Sequence, residues 1–192
     1  FVYCITLIDK KHFALGTGQG VLLYNYQADR FEPFPTGGPS DVRALLLVGD
    51  KLWIGAIAGL YCFDLKTREL IDYGSLFPKN KEKPAVYALD KVADRLLIGT
   101  YNGLFEFNPL RKDMVPLSLP DYKSGSNQFV NSIFSIPGSD KTYIGTEYGL
   151  YSYHVKNRSL QKAPVLQNHP IKAMASKDHN TLLVGTDDGL FS

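Results

Sequence analysis

Five copies of one six-residue pattern, Gly-X-X-X-Gly followed by Val or Leu, recur in a fixed frame at 16–21, 55–60, 99–104, 145–150 and 185–190. Their first glycines lie 39, 44, 46 and 40 residues apart. A period of this size makes each copy one supersecondary module, too small to bury its own apolar surface and obliged to stack on its neighbours. Each hexad follows a short apolar run, such as Leu52-Trp53-Ile54 or Leu96-Leu97-Ile98, and precedes an aromatic-rich one, such as Leu104-Phe105-Glu106-Phe107. That pattern predicts a hairpin. Asn102-Gly103 and Asp188-Gly189 are favoured tight-turn pairs, and a glycine at the same slot in all five copies suits a backbone at positive φ.

Upstream of each hairpin lies a second aligned segment: Val2-Tyr3-Cys4-Ile5, Val42-Arg43-Ala44-Leu45, Val86-Tyr87-Ala88-Leu89, Val130-Asn131-Ser132-Ile133 and Ile171-Lys172-Ala173-Met174. It reads as an inner strand whose third slot is always small, as close packing on a crowded axis requires. Downstream come Asn25, Asp64, Asn108 or His154, a polar turn, and a weak outer segment at 31–34, 69–73 or 114–117. Pro33 and Pro116 there suit an edge strand, because proline cannot donate to a ladder. Four short strands per repeat, without helical periodicity, predict an all-β chain of β-propeller blades. The expected boundaries are 1–36, 37–74, 75–120, 121–164 and an incomplete 165–192, all in one domain. Four blades are complete, and no segment before Val2 supplies a fourth strand to the last. The expectation is therefore part of a larger propeller of about seven blades, with open blade edges that self-associate.

Totals exclude some functions. Over 192 residues, 21 Lys and Arg face 19 Asp and Glu, and a net charge of +2 gives no field of the kind that draws nucleic acid. The longest apolar run, 44–48, is far short of the roughly 20 residues a membrane helix needs, so this segment is expected to make no membrane contact itself. Cys4 sits in the small slot and Cys62 in an outer hairpin slot shared with Leu23, Glu106, Ser152 and Ser192. These frames lie in different layers, so both thiols are expected to be free. His12, His154, His169 and His179 show no ligand spacing, and neither a metal nor a cofactor is expected. The glycines at 16, 18 and 20 precede no helix and are not a phosphate loop. Trp53 shares its slot with Ala14, Leu97, Tyr143 and Leu183 and reads as core, while 79–83 reads as a solvated loop.

Leu52-Trp53-Ile54-Gly55 with Gly59-Leu60-Tyr61, and Leu97-Ile98-Gly99-Thr100 with Gly103-Leu104-Phe105, resemble the two-component regulator propeller repeat, and the match covers essentially the whole chain. Ala56 in place of the hexad threonine, and Phe13-Ala14-Leu15 in place of Leu-Trp-Ile, are departures. The resemblance implies a non-catalytic periplasmic sensor region of a hybrid histidine kinase that is anchored in the membrane elsewhere. It also implies an oligosaccharide from polysaccharide breakdown as the ligand.

Candidate binding residues are those that vary inside the fixed frame. Arg43, Tyr87, Asn131 and Lys172 follow the first residue of inner strands, as Tyr3 does, and Tyr101, Asn102, Glu147, Tyr148 and Asp187 occupy hairpin turns with Gln19 and Asp188. In propellers these emerge on one face, beside the long connections at 74–85 and 118–129. Aromatic faces with amides and a few charges suit a polyhydroxyl ligand. Two other readings stay open: a propeller lyase or glycan-processing enzyme using Glu147 and Asp187 as a carboxylate pair, and a protein-docking scaffold.

Overall fold

A computed structural model describes residues 1–78, 83–120, 128–136, 138–178 and 181–192. The chain divides into two compact units, Phe1–Leu89 and Asp90–Ser192. The first holds blade 1, formed by β1 (Val2–Leu7), β2 (His12–Thr17), β3 (Gly20–Asn25) and β4 (Arg30–Pro33). It also holds blade 2, formed by β5 (Val42–Val48), β6 (Lys51–Ala56), β7 (Gly59–Asp64) and β8 (Leu70–Asp72), followed by a 3-10 turn at Gly74–Leu76. The inner strand β9 (Val86–Val92) crosses the division. With it, β10 (Arg95–Thr100), β11 (Gly103–Asn108) and β12 (Asp113–Leu117) make blade 3. Blade 4 is β13 (Val130–Ser135), β14 (Lys141–Thr146), β15 (Gly149–His154) and β16 (Ser159–Lys162), and blade 5 is β17 (Ile171–Ser176), β18 (Leu182–Thr186) and β19 (Gly189–Phe191). Every sheet runs in simple sequence order, four strands in blades 1 to 4 and three in blade 5, and every described pairing is antiparallel. The fold is that of β-propeller blades.

The hairpin glycine does take positive φ in all five copies, from 116° to 128°. Its place in the turn differs from an Asn-Gly centre. Tyr101 and Asn102 form the turn, and Gly103 pairs with Thr100 as the first residue of β11. The threonine two residues before the turn's second residue organises it. Thr100 Oγ1 donates to the Gly103 carbonyl at 2.8 Å and accepts from the Asn102 N–H at 3.1 Å. Thr17, Thr146 and Thr186 make the same pair of bonds. At the other end of the hairpin, Asn25, Asp64 and Asn108 each accept two backbone N–H bonds from the residues two and three ahead. This Asx arrangement offers the chain a turn in place of the ladder and starts the outer strand.

The first hexad glycine is there for space. A Cβ on Gly55 would lie 2.6 Å from Val86 Cγ1, one on Gly145 would lie 2.6 Å from Ile171 Cγ2, and one on Gly16 would lie 2.8 Å from Val42 Cγ1. The β-branched residue that opens β5, β9 and β17 is thus a knob seated on the glycine of the preceding blade. The small third slot, Cys4, Ala44 or Ser132, packs on the same glycine from its own blade. Val42, Val86, Val130 and Ile171 are fully buried, which contributes about 1.5–3 kcal/mol apiece.

Within the first unit Ala14, Val42, Leu52, Ile54, Ala56 and Phe63 form a core, with Phe34 and Phe63 rings 4.7 Å apart. Trp53 is buried against Tyr73, so it is core as expected. In the second unit Leu97, Leu104, Val130, Ile144, Tyr151 and Tyr153 form the corresponding core, and Leu150, Ile171 and Val184 a smaller one. Cys4 and Cys62 are free thiols, and burial pushes each up to about 11. Pro33 and Pro116 lie on outermost strands.

Candidate functional site

A repeated irregularity places the varying residues of the inner strands. The pairing of inner strand to hairpin slips between Val2 and Cys4, Val42 and Ala44, Val130 and Ser132, and Ile171 and Ala173. Each slip leaves one residue out of the ladder, and those residues are Tyr3, Arg43, Asn131 and Lys172. A β-bulge re-aims the side chain it releases. The connection from one blade to the next is stitched to the hairpin turns by backbone bonds, Asp41 N–H to the Gly18 carbonyl and Ile57 N–H to the Asp41 carbonyl in the first unit. In the second unit the Glu147 N–H donates to the Phe129 carbonyl and the Asn168 N–H to the Tyr148 carbonyl. Bulge, turn and connection therefore meet at one end of blades 1, 2 and 4.

In the second unit this end carries a continuous polar chain. Asn131 Nδ2 donates to Glu147 Oε1 at 2.8 Å, and Lys172 Nζ lies 3.3 Å from the same oxygen and 3.6 Å from Asp187 Oδ2. Four of the residues singled out from the sequence are joined here, drawn from two blades. Tyr148 and Tyr101 remain largely exposed on neighbouring turns, Tyr101 with its ring 5.5 Å from that of Phe129. Asn102 is exposed, and its N–H is held by Thr100.

In the first unit the Arg43 guanidinium lies 3.7 Å over the Tyr3 ring, and its Nη2 is 2.7 Å from Asp41 Oδ1. Arg43 Nε is buried without a hydrogen-bond partner. Tyr87 is half-buried at the equivalent inner-strand position. The sequence reading missed Asp41, which fixes Arg43, and His169, whose Nδ1 lies 2.8 Å from Asp188 Oδ2. Among the described residues no group of three or more His, Cys, Asp or Glu side chains could hold a metal ion. His179, residues 79–82 and residues 121–127 of the long connection lie outside the described residues.

The carboxylate pair posed for catalysis, Glu147 and Asp187, has the Lys172 ammonium between its members. That arrangement matches charge and supplies acceptors beside a donor. A third carboxylate, Glu106, is buried at the far end of the blade 3 hairpin from its turn. It accepts from Arg95 Nη1 at 2.5 Å, Arg158 Nη2 at 2.5 Å and the Tyr153 hydroxyl at 2.6 Å. Burial, then the bond to Glu106, pushes the Tyr153 phenol up to about 12. Glu106 is saturated by its partners and has a structural part.

No protein-family model matches the chain, and no curated protein matches it. Among solved structures, a protein described as the extracellular domain of a hybrid two-component system of B. thetaiotaomicron, BT4673, is 36% identical with a TM-score of 0.88. That alignment covers 98% of this chain and 25% of the other, so the chain spans a quarter of that structure's length. The extracellular domain of a second such system, BT3049, is 19% identical over 97% of this chain and 26% of its own, with a TM-score of 0.76. The β-propeller domain of Myceliophteria thermophila Cps50 (Swd1) is 14% identical over 97% of this chain and 63% of its own, with a TM-score of 0.71. The last two share the fold. The chain's neighbours thus include extracellular domains of two-component sensors, and no helix among the described residues is long and apolar enough to cross a membrane.

Proposed function

We propose that the chain is a non-catalytic part of a periplasmic sensor propeller of the two-component regulator propeller family, and that its bulge-and-turn face binds an oligosaccharide. The observation that carries this reading is the chain Asn131, Glu147, Lys172 and Asp187. Exposed ion pairs of this kind contribute about 0–1 kcal/mol to stability. A repeated architectural device, the bulge, presents side chains that do little for the fold. Donors and acceptors fixed by one another, with Tyr101 and Tyr148 exposed beside them, suit sugar hydroxyls and sugar faces. The 36% identity to an extracellular two-component domain supports the sensor role.

Binding is tested by calorimetry of the chain against a panel of neutral and acidic oligosaccharides. One of them is expected to bind, and Lys172→Ala and Tyr148→Ala to weaken it by about tenfold or more. Tyr101→Ala reports on the neighbouring turn. Binding that all three variants leave unchanged would remove this face from the reading.

A further inference from the structure

A buried carboxylate is balanced by one cation, and Glu106 has two. Its side chain is 2% exposed. The Arg95 and Arg158 guanidiniums both donate to Oε1, at 2.5 Å each, and the Tyr153 hydroxyl donates to Oε2. One positive charge is therefore left over inside the cluster. Asp94 does little to offset it, because it stands 3.8 Å from Arg95 Nε and is 64% exposed, where water screens its charge. Each guanidinium carries five N–H donors in a fixed fork, and the bonds to Glu106 use one nitrogen of each.

The same groups line a cavity of 70 Å³, which Arg95, Arg158, Glu106 and Tyr153 share with Val92 and Val155. One water-sized atom needs about 10–15 Å³, so the space admits roughly five, the size of a small charged group. A second cavity, of 360 Å³, shares Val92 and Val155 and adds Lys91, Asp140 and the Ser135 and Thr142 hydroxyls, which lie 2.9 Å apart. All of these residues belong to blades 3 and 4, inside the second unit.

We propose that the Arg95 and Arg158 pair binds an oxoanion, a carboxylate, sulfate or phosphate group, which supplies the missing negative charge. The two-oxygen edge of such a group matches a guanidinium fork, whereas a halide is a single point. The larger cavity beside it accepts a hydroxyl-bearing body, so a free oxoanion and an acidic sugar offer the site the same chemistry. The site is at the end of the blade 3 hairpin away from its turn, and it works whatever the bulge-and-turn face binds.

Calorimetry of the chain at fixed ionic strength, with chloride as the balancing anion, reads binding of sulfate and of glucuronate. At least one is expected to bind saturably. Arg158→Gln leaves one cation for one carboxylate, a balanced joint, and should weaken binding by about tenfold or more. Glu106→Gln leaves both guanidiniums without their carboxylate and should strengthen it, the opposite of what loss of a merely structural contact would do. Should Glu106→Gln melt too low to titrate, Arg158→Lys, which keeps the charge and loses the fork, is expected to fall between the unmodified chain and Arg158→Gln. Circular dichroism checks that each variant folds. Tighter binding of glucuronate than of sulfate would assign the group to a sugar, and the reverse order to a free oxoanion. No saturable binding of either, equal binding by Arg158→Gln, or weaker binding by a folded Glu106→Gln would each overturn the proposal.

Discussion

The hexad threonine carries more of the hairpin than its modest polarity suggests. Thr100 and Thr146 are fully buried, so each hydroxyl must find its partners inside the protein, and both do, at a glycine carbonyl and at a turn N–H. Replacing Thr146 by the isosteric Val keeps the volume and deletes both bonds, leaving a carbonyl and an N–H with fewer partners. The expected cost is about 1–3 kcal/mol, measured by urea denaturation. Blade 2 supplies the converse. Ala56 is buried in the same frame and lacks the hydroxyl. Ala56→Thr should therefore install the clasp, and it should gain stability only if the core around Leu52 and Ile54 admits the extra atoms. A rise in the urea midpoint would mean that the bonds outweigh overpacking, and a fall would mean the reverse. The deciding quantity is about 1 kcal/mol on either side.

At the scale of the element, joints between blades are specified by shape at some places and by charge at others. The shape half is the glycine hole: Gly145→Ala would press a methyl group against Ile171 and Ser132 and should cost about 1–3 kcal/mol, while Gly185→Ala, which would make only ordinary contact with Ala173, should cost little. Thermal melts of the two variants make the comparison. The charge half is Glu106 of blade 3, bound by Tyr153 and Arg158 of blade 4. Its neutral phenol partner ties the joint to pH. The Tyr153 pKa is raised from 10.0 to about 12, so the folded state favours the protonated phenol, and its contribution is whole below pH 10 and is lost as pH rises towards 12. Tyr153→Phe should flatten that alkaline limb in a stability-against-pH series. The repeat made strands, blade frame and edge prolines legible in the sequence, because period, glycine and small slot recur. The bulge was not legible: its residue is Tyr3, Arg43, Asn131 or Lys172 in turn, and only the slip between Val130 and Ser132, or its counterparts, reveals that Asn131 and Lys172 leave the ladder. The Glu106 cluster was hidden for a related reason. Its slot holds Leu23, Cys62 and Ser152 elsewhere, and its partners come from residues scattered through β10, β15 and the turn before β16.

For the whole molecule, modules that rely on neighbours for their cores make stability a function of position along the chain. A blade covered on both faces buries its hairpin strands almost entirely, as β6 and β10 do from their second residue and β11 does throughout. A blade covered on one face does not: β1 alternates between exposed and half-buried residues, and all three residues of β19 are exposed. Backbone hydrogen bonds in a ladder open together with the side-chain packing above and below them, so exchange of amide hydrogens should report this gradient. Peptides spanning β6 and β10 are expected to exchange slowest and those spanning β17 to β19 fastest, with β1 to β4 between. Uniform protection from β1 to β19 in the dilute chain would mean that the blades unfold as one block, and that nearest-neighbour stacking does not set their stability.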